Sequence, residues 1–505
     1  MNITFVVFFL VYILVMFGIA LVVSGKANKA NNNAEQFLLG GRKLPFLLTL
    51  GTTVATMVGT GSSMGAVGFA YQNGWAGTLY GIGGAVGILL LAWWFAPLRN
   101  LRFMTMSEEL SYYVGANTLI KNLIAVIIFV ASIGWLGAHI IGGGLYLAWL
   151  TGMDLQLAKV LIAFSFALYV VKGGYMAVVW TDSIQAIILF CGFFLMAYFS
   201  IQAVGGWDAM LSAQPVANQS WFAVDKIGLL PAISLALAIL VGILATPSFR
   251  QRIYSGKDVA TIRRSFIYSG LLYLGFSIIP AIIGMSAFAV EQHLDNASFA
   301  FPHMALYFMP LGLGAFIIIA GISATLSSAS SDAIAGVSVV MRDLYQMCSG
   351  SMPAPEKAVF WSRISLVLTI SLALGFAMIS NDIVAYITKM IAILMSGMCV
   401  CALLGRFWPR YNWQGALATL IAGSSTAIIV NFQPQWLILF GNPVIPSLCA
   451  ALCCGVIVTL LTPVSTVTPE QALTKLNKQR AELESDPDNL ESNNNRQTLD
   501  KQGSL

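Results

Sequence analysis

Between Ser327 and Ser331 the sequence SSASS puts four hydroxyls into five positions, and Asp332 follows at once. The surrounding run, AGISATLSSASSDAIAG at 320–336, is otherwise apolar. On a helix, residues three and four apart share a face, so Ala324, Ser327, Ser328 and Ser331 form one stripe, with Ser330 flanking it through Ser327. Hydroxyl and backbone carbonyl oxygens are hard, neutral donors. Such a set suits a small monovalent cation such as sodium, whereas calcium sites use several carboxylates. A membrane serine can also bond the carbonyl one turn back on its own helix, which accounts for any one of these residues but not for all of them together. A second carboxylate, Asp182, stands in GGYMAVVWTDSIQ between Thr181 and Ser183. It either caps a helix end or faces the interior as a cation or proton ligand. His139, in GWLGAHIIGGG, either touches a solute or is a packed, hydrogen-bonded histidine. No role is assigned to Asp332.

What must position these groups follows from composition. The 505 residues are 58% hydrophobic and 9% charged, too few charges to cover a soluble surface, so the chain is an all-α integral membrane protein. Thirteen apolar segments are long enough to cross a bilayer, at about 4–24, 45–68, 76–97, 121–150, 156–172, 178–204, 226–247, 264–290, 308–341, 358–380, 383–405, 412–431 and 442–462. The +5 charge does not point to nucleic acid. Sixteen Lys and Arg fall in alternate loops, against Lys226 alone in the loops of the other side. The positive-inside rule then puts the amino terminus outside and the carboxyl terminus in the cytoplasm of a plasma membrane, such as a bacterial inner membrane. Residues 1–462 make one transmembrane domain, its first segment a retained span, and 463–505 a polar, largely disordered tail with one short solvated helix. The seven cysteines show no metal or disulfide spacing, and no Ser/His/Asp order or phosphate loop suggests an enzyme.

Two segments are interrupted. Gly51, Gly59, Gly61, Gly65 and Gly68 break the second, and Pro231 and Pro247 bracket the seventh. Unwound backbone inside a bilayer is tolerated where it lines an enclosed cavity. These two segments head successive sets of five, about 45–204 and 226–405, the mark of an inverted-repeat secondary transporter with its site at midplane. Arg363 and Lys389, also within segments, read as side chains that snorkel to an interface.

Five stretches in order, FLLGGRKLP, GGYMAVVWTDSIQ, RQRIYSGKD, ATLSSASSDAIAGVSVVMRDLY and LLGRFWPRYNWQGALATLIAG, resemble the signatures of the sodium/solute symporter family over about 36–462. The resemblance implies a LeuT-type fold, a 5+5 inverted repeat with one extra amino-terminal and two carboxyl-terminal helices. It implies a sodium site from the carbonyls of Ala55 and Val58, the Ala324 carbonyl, and the hydroxyls of Ser327 and Ser328. A second sodium would fall to Ser327, Ser330, Ser331 and Asp182. Solute would meet Thr56, Thr60, Ser62 and Tyr80 on and beside the unwound helix, and Thr246 and Ser248 on the seventh segment. These side chains are small and neutral, and free amides at half-helix ends suit an anionic head group, so the expected cargo is an amino acid or a small organic acid. The expected partners are that solute, sodium and the bilayer, with no nucleic acid, and a monomer sufficing for transport. Proton coupling through Asp182, or a transporter-like sensor, are the rivals.

Overall fold

The computed structural model describes residues 3–28, 34–350, 355–379 and 383–484, and the described residues are helical with no strand. The expectation of disorder for 491–505 lies outside them. The elements that matter for the site are α1 (Ile3–Asn28), α2 (Phe46–Met57), α3 (Ala66–Asn73), α4 (Met106–Tyr112) and α5 (Thr118–Thr151). They continue with α6 (Leu155–Val204), α7 (Leu229–Ala245), α8 (Pro247–Ser255), α9 (Leu311–Val339), α10 (Pro355–Ala377) and α11 (Pro469–Glu484).

Ten described helices are long and apolar enough to cross a membrane, or eleven when α7 and α8, bent by 42°, count as one span. The expected thirteen is not reproduced as a count, and the reason is local. Helix α6 runs for 50 residues with one non-helical residue, Gly174 (φ 61, ψ −159). At 1.5 Å per residue it would reach about 75 Å, more than twice a bilayer's hydrocarbon thickness. Gly174 separates its two halves, and a Cβ there would press into Phe37. The long Gly61–Leu101 stretch is likewise interrupted by Gly74 (φ 57).

Helix α9 is the hub. It is buried almost throughout from Gly314 to Val339 and packs against α5, α6, α10 and α2. Helix α2 in turn lies on α6. Termini are set by local chemistry. The Asn117 side chain accepts from the Ile120 amide and starts α5, and Asp154 accepts from the Gln156 and Leu157 amides and starts α6. The start of α2 is tied to the end of α8 by a parallel bridge, the Leu44 amide donating to the Ser255 carbonyl at 3.2 Å and the Lys257 amide to the Leu44 carbonyl at 3.0 Å. Of the two cations within segments, Arg363 is half-buried with its Nε donating to the Val171 carbonyl at 3.0 Å, and Lys389 is exposed.

The end of the bundle where the basic loops gather is closed by ion pairs. Arg250 is fully buried, sits 3.6 Å over the Phe95 ring and lies 3.4 Å from Glu109. Glu108 pairs with Arg342 at 3.1 Å and with Arg480 at 3.0 Å. Arg480 belongs to α11, the helix expected to be solvated. A capping box starts α11: the Gln471 amide donates to Thr468, and the Thr468 amide donates to the Gln471 side chain. One face of α11 then docks, burying Ala472 and Leu476, and Lys475 donates to the Ala116 carbonyl at 2.9 Å. Burial on its own would raise the Glu108 carboxyl, but Arg342 and Arg480 outweigh it and hold it down at about 2. The stabilisation is therefore in full force above the ordinary value of 4.5 and drains away as pH falls toward about 2. Arg480→Ser is expected to release α11, read as faster native-state trypsin cleavage at Lys475 and Lys478. Unchanged cleavage would show that the pair does not hold the helix.

Candidate ion and solute site

Helix α2 ends where the sequence leaves helical geometry. Val58 takes φ −88, ψ 59, and the chain resumes as a wide turn at Gly61–Gly65 before α3. The hydroxyls that follow mend part of this break. Ser62 donates to the Met57 carbonyl at 2.7 Å, and Ser63 to the Gly59 carbonyl at 2.8 Å.

Helix α9 crosses the break with its serine stripe facing it. Ser327 Oγ lies 3.1 Å from the Ala55 carbonyl and 3.2 Å from that of Ala324. Ser328 Oγ lies 3.2 Å from the Ala324 carbonyl and 3.2 Å from that of Thr56, so it reaches Thr56 where the sequence pointed to Val58. All of these oxygens are buried, and they belong to two helices separated by some 270 positions in sequence. In this arrangement the hydroxyls donate to the carbonyls. A bound cation would take the lone pairs of both. Gly59 permits the close approach: a Cβ there would sit 2.6 Å from Ser328 Oγ and 3.1 Å from His139 Cε1. Gly59→Ala is therefore expected to raise the sodium concentration needed for half-maximal stabilisation by about tenfold, which is about 1.4 kcal/mol. A sodium titration of thermal unfolding reads the change, and an unchanged midpoint would separate Gly59 from the ion site.

The other face of the stripe converges on Asp182. Ser331 donates to Asp182 Oδ2 at 2.8 Å, Ser330 to Oδ1 at 3.3 Å, and Thr52 of α2 to Oδ2 at 2.7 Å. Asp182 is thus buried in the interior among hydroxyl donors and does not cap a helix end. Sequence reasoning missed its partner. Arg252, counted there among loop cations, is fully buried on α8 with Nη2 3.7 Å from Asp182 Oδ2. That nitrogen also lies within hydrogen-bond reach of the Thr52 carbonyl at 3.1 Å, of Thr52 Oγ1 and Ser331 Oγ at 2.8 Å, and of Thr56 Oγ1, more acceptors than its two N–H groups can serve at once. The apolar spacing of Phe249, Ile253 and Tyr254 around it, one helical turn apart, was the available signal.

An inner cavity of about 50 Å3 lies beside the break. Thr56, Ser62, Tyr80 and Thr246 line it, as expected. Thr60 and Ser248 do not: Thr60 Oγ1 is hydrogen-bonded with His139 Nδ1 at 2.9 Å, and Ser248 is buried on α8, its carbonyl accepting from Arg252. Thr246 is also committed, donating to the Gly242 carbonyl at 2.6 Å. Unforeseen in the wall are Met57, Trp135, Phe249, Tyr273 and Asp332; His139, one of whose two readings was contact with a solute, also lines it. A vestibule of about 770 Å3, lined by Gly65 and Gly68 farther along the broken helix and by Thr388 and Lys389, opens at the end away from the basic cluster. A solute site is typically several hundred Å3, so the inner cavity must widen to admit cargo.

Two broken helices, one carrying an oxygen cluster that a neutral hydroxyl stripe completes, define a secondary transporter of the LeuT type. The chain belongs to the sodium:solute symporter family, whose model matches residues 37–423. It is 26% identical over 475 residues to the uncharacterized symporter YwcA of Bacillus subtilis (strain 168), covering 88% of this chain and 90% of that one. It is 23% identical over 469 residues to the sodium/glucose cotransporter of Vibrio parahaemolyticus, covering 84% of each. Its fold matches a Na+-coupled sialic acid symporter in a substrate-bound outward-open state (TM-score 0.78, 20% identity, 90% of this chain and 97% of that one). It also matches Mhp1, a nucleobase-cation-symport-1 family transporter closed around bromovinylhydantoin (TM-score 0.57, 11% identity, 88% and 99%). The protein is a multi-pass membrane transporter that couples a solute to sodium, the co-transported ion.

Proposed function

We propose that this symporter imports a small amino acid or organic acid by alternating access, with two sodium ions per cycle. The observation that carries the reading is the meeting of Ser327 and Ser328 with the carbonyls at the end of α2. The first sodium joins the broken helix to α9 and favours the state open to the vestibule, so that sodium and solute raise each other's affinity by one common factor. The second sits among Ser327, Ser330, Ser331 and Asp182 and must displace the Arg252 guanidinium to do so. Entry of each positive charge down about 100 mV contributes roughly 2.3 kcal/mol. In this reading the amino terminus faces outward, the closed basic end faces the cytoplasm, the setting is a bacterial inner membrane, and one copy suffices.

The test is uptake into proteoliposomes under an inward sodium gradient, using a radiolabelled panel of small amino acids and small carboxylic acids. The reading expects accumulation of at least one panel member, lost when choline replaces sodium at fixed pH, with a Hill coefficient for sodium above one. Uptake that persists in choline and follows a pH gradient would assign coupling to protons at Asp182 instead.

A further inference from the structure

Among the described residues, Asp332 is the one acidic side chain that lines the inner cavity. It lies four residues beyond Ser328 on α9, one turn along the same face, so it stands next to the ion cluster and looks into the solute space. It is 4% exposed. One oxygen, Oδ2, lies 3.2 Å from His139 Nε2. His139 is itself held from behind: Thr60 lies 2.9 Å from Nδ1, and the Trp135 ring stacks on the imidazole at 6.2 Å and 16°. The imidazole thus bridges the Thr60 hydroxyl on one ring nitrogen and the Asp332 carboxyl on the other. The histidine thereby orients the carboxyl group. The second Asp332 oxygen has no partner among the described residues, and neither has the Trp135 indole N–H in the same wall.

The remaining wall is largely apolar, with Met57, Ile239, Ile243, Phe249 and Ile391, and no Lys or Arg among the described residues lines it. A carboxylate in such surroundings is costly unless a donor or cation meets it. Resting on the sodium-symport reading above, we propose that Asp332, oriented by His139, is the solute-selecting carboxylate and takes the cationic amino group of the cargo. A simple organic acid would set a second negative charge beside Asp332. An amino acid brings its own counter-charge, its ammonium N–H groups donating to the free Asp332 oxygen. The cargo class narrows to amino-bearing solutes.

The experiment is thermal unfolding of the purified full chain in sodium and in choline, against solutes matched in carbon skeleton: L-alanine with propionate, L-proline with cyclopentanecarboxylate, and L-glutamate with glutarate. The proposal expects the amino member of at least one pair to stabilise in sodium, with the des-amino partner at least about tenfold weaker. Asp332→Asn should remove that preference, and Asp332→Glu should restore part of it. Folding of both variants is checked by their unfolding temperature in choline without solute. Stabilisation by the acids alone, by no amino member, or equally in Asp332→Asn would overturn the assignment. Failure of sodium itself to stabilise the wild-type protein would instead strike the coupling reading, and this proposal with it.

Discussion

Replacing Ser327 and Ser328 together by alanine is expected to abolish the stabilisation that sodium, relative to choline, confers on the purified protein. A ligand that binds the folded state alone stabilises by RT ln(1 + [L]/Kd), about 2.7 kcal/mol at a hundred times Kd. The wild-type protein should show a gain of that order in saturating sodium. The variant loses two hydroxyl oxygens that lie 3.1 to 3.2 Å from the Ala55, Thr56 and Ala324 carbonyls, so the cluster falls to backbone donors alone. Alanine fits a helix interior, but the buried Ala55 and Thr56 carbonyls lose their donors, so the unfolding temperature in choline should fall and the sodium response is read relative to that baseline. A variant that keeps the full sodium response would place the ion elsewhere.

The second large effect concerns Asp182 and Arg252. Asp182→Asn should destabilise the protein by about 3–5 kcal/mol, because it leaves the Arg252 guanidinium buried without its counter-charge. Arg252→Gln should be costly for the mirror reason, but with a sodium response larger than wild type, since the ion now meets Asp182 without a competitor. The double variant should recover most of the loss, giving a strong coupling energy in a double-mutant cycle. It should also lower the Hill coefficient of sodium-driven uptake toward one. Additive losses would mean the two side chains do not act as a pair. A lone Asp182→Asn variant that folds normally and keeps its Hill coefficient would remove the second sodium from the account.

The serine stripe and Asp182 were legible because chemistry and spacing are both local. Four hydroxyls at helical offsets must share a face, and an acid inside an apolar run must have a partner. The break in the second segment was legible for the same reason, since its glycines announce it. Arg252 was not. Its charge reads as a loop cation, and only the 42° bend between α7 and α8, which carries α8 back beneath α2, turns it inward. The positive-inside asymmetry therefore included Arg250 and Arg252, two arginines that are buried in the bundle.

The wall of the inner cavity was half legible. Thr56, Ser62, Tyr80 and Thr246 line it, yet Thr60 turns away to His139, because which side of an unwound turn a residue faces depends on what packs behind it. Asp332 and His139 lie 193 positions apart, and no pattern in either segment pairs them. Helix α11 read as solvated because its docking face holds only Ala472 and Leu476 among many charges.

The most direct test of the ion site is equilibrium binding of 22Na+ to the purified protein, run in parallel on the wild type and on the Ser327→Ala/Ser328→Ala double variant at a temperature where both are folded. The arrangement of α2 against α9 predicts saturable binding in the wild type that the double variant lacks across the same concentration range. Equal binding by the two proteins would contradict it.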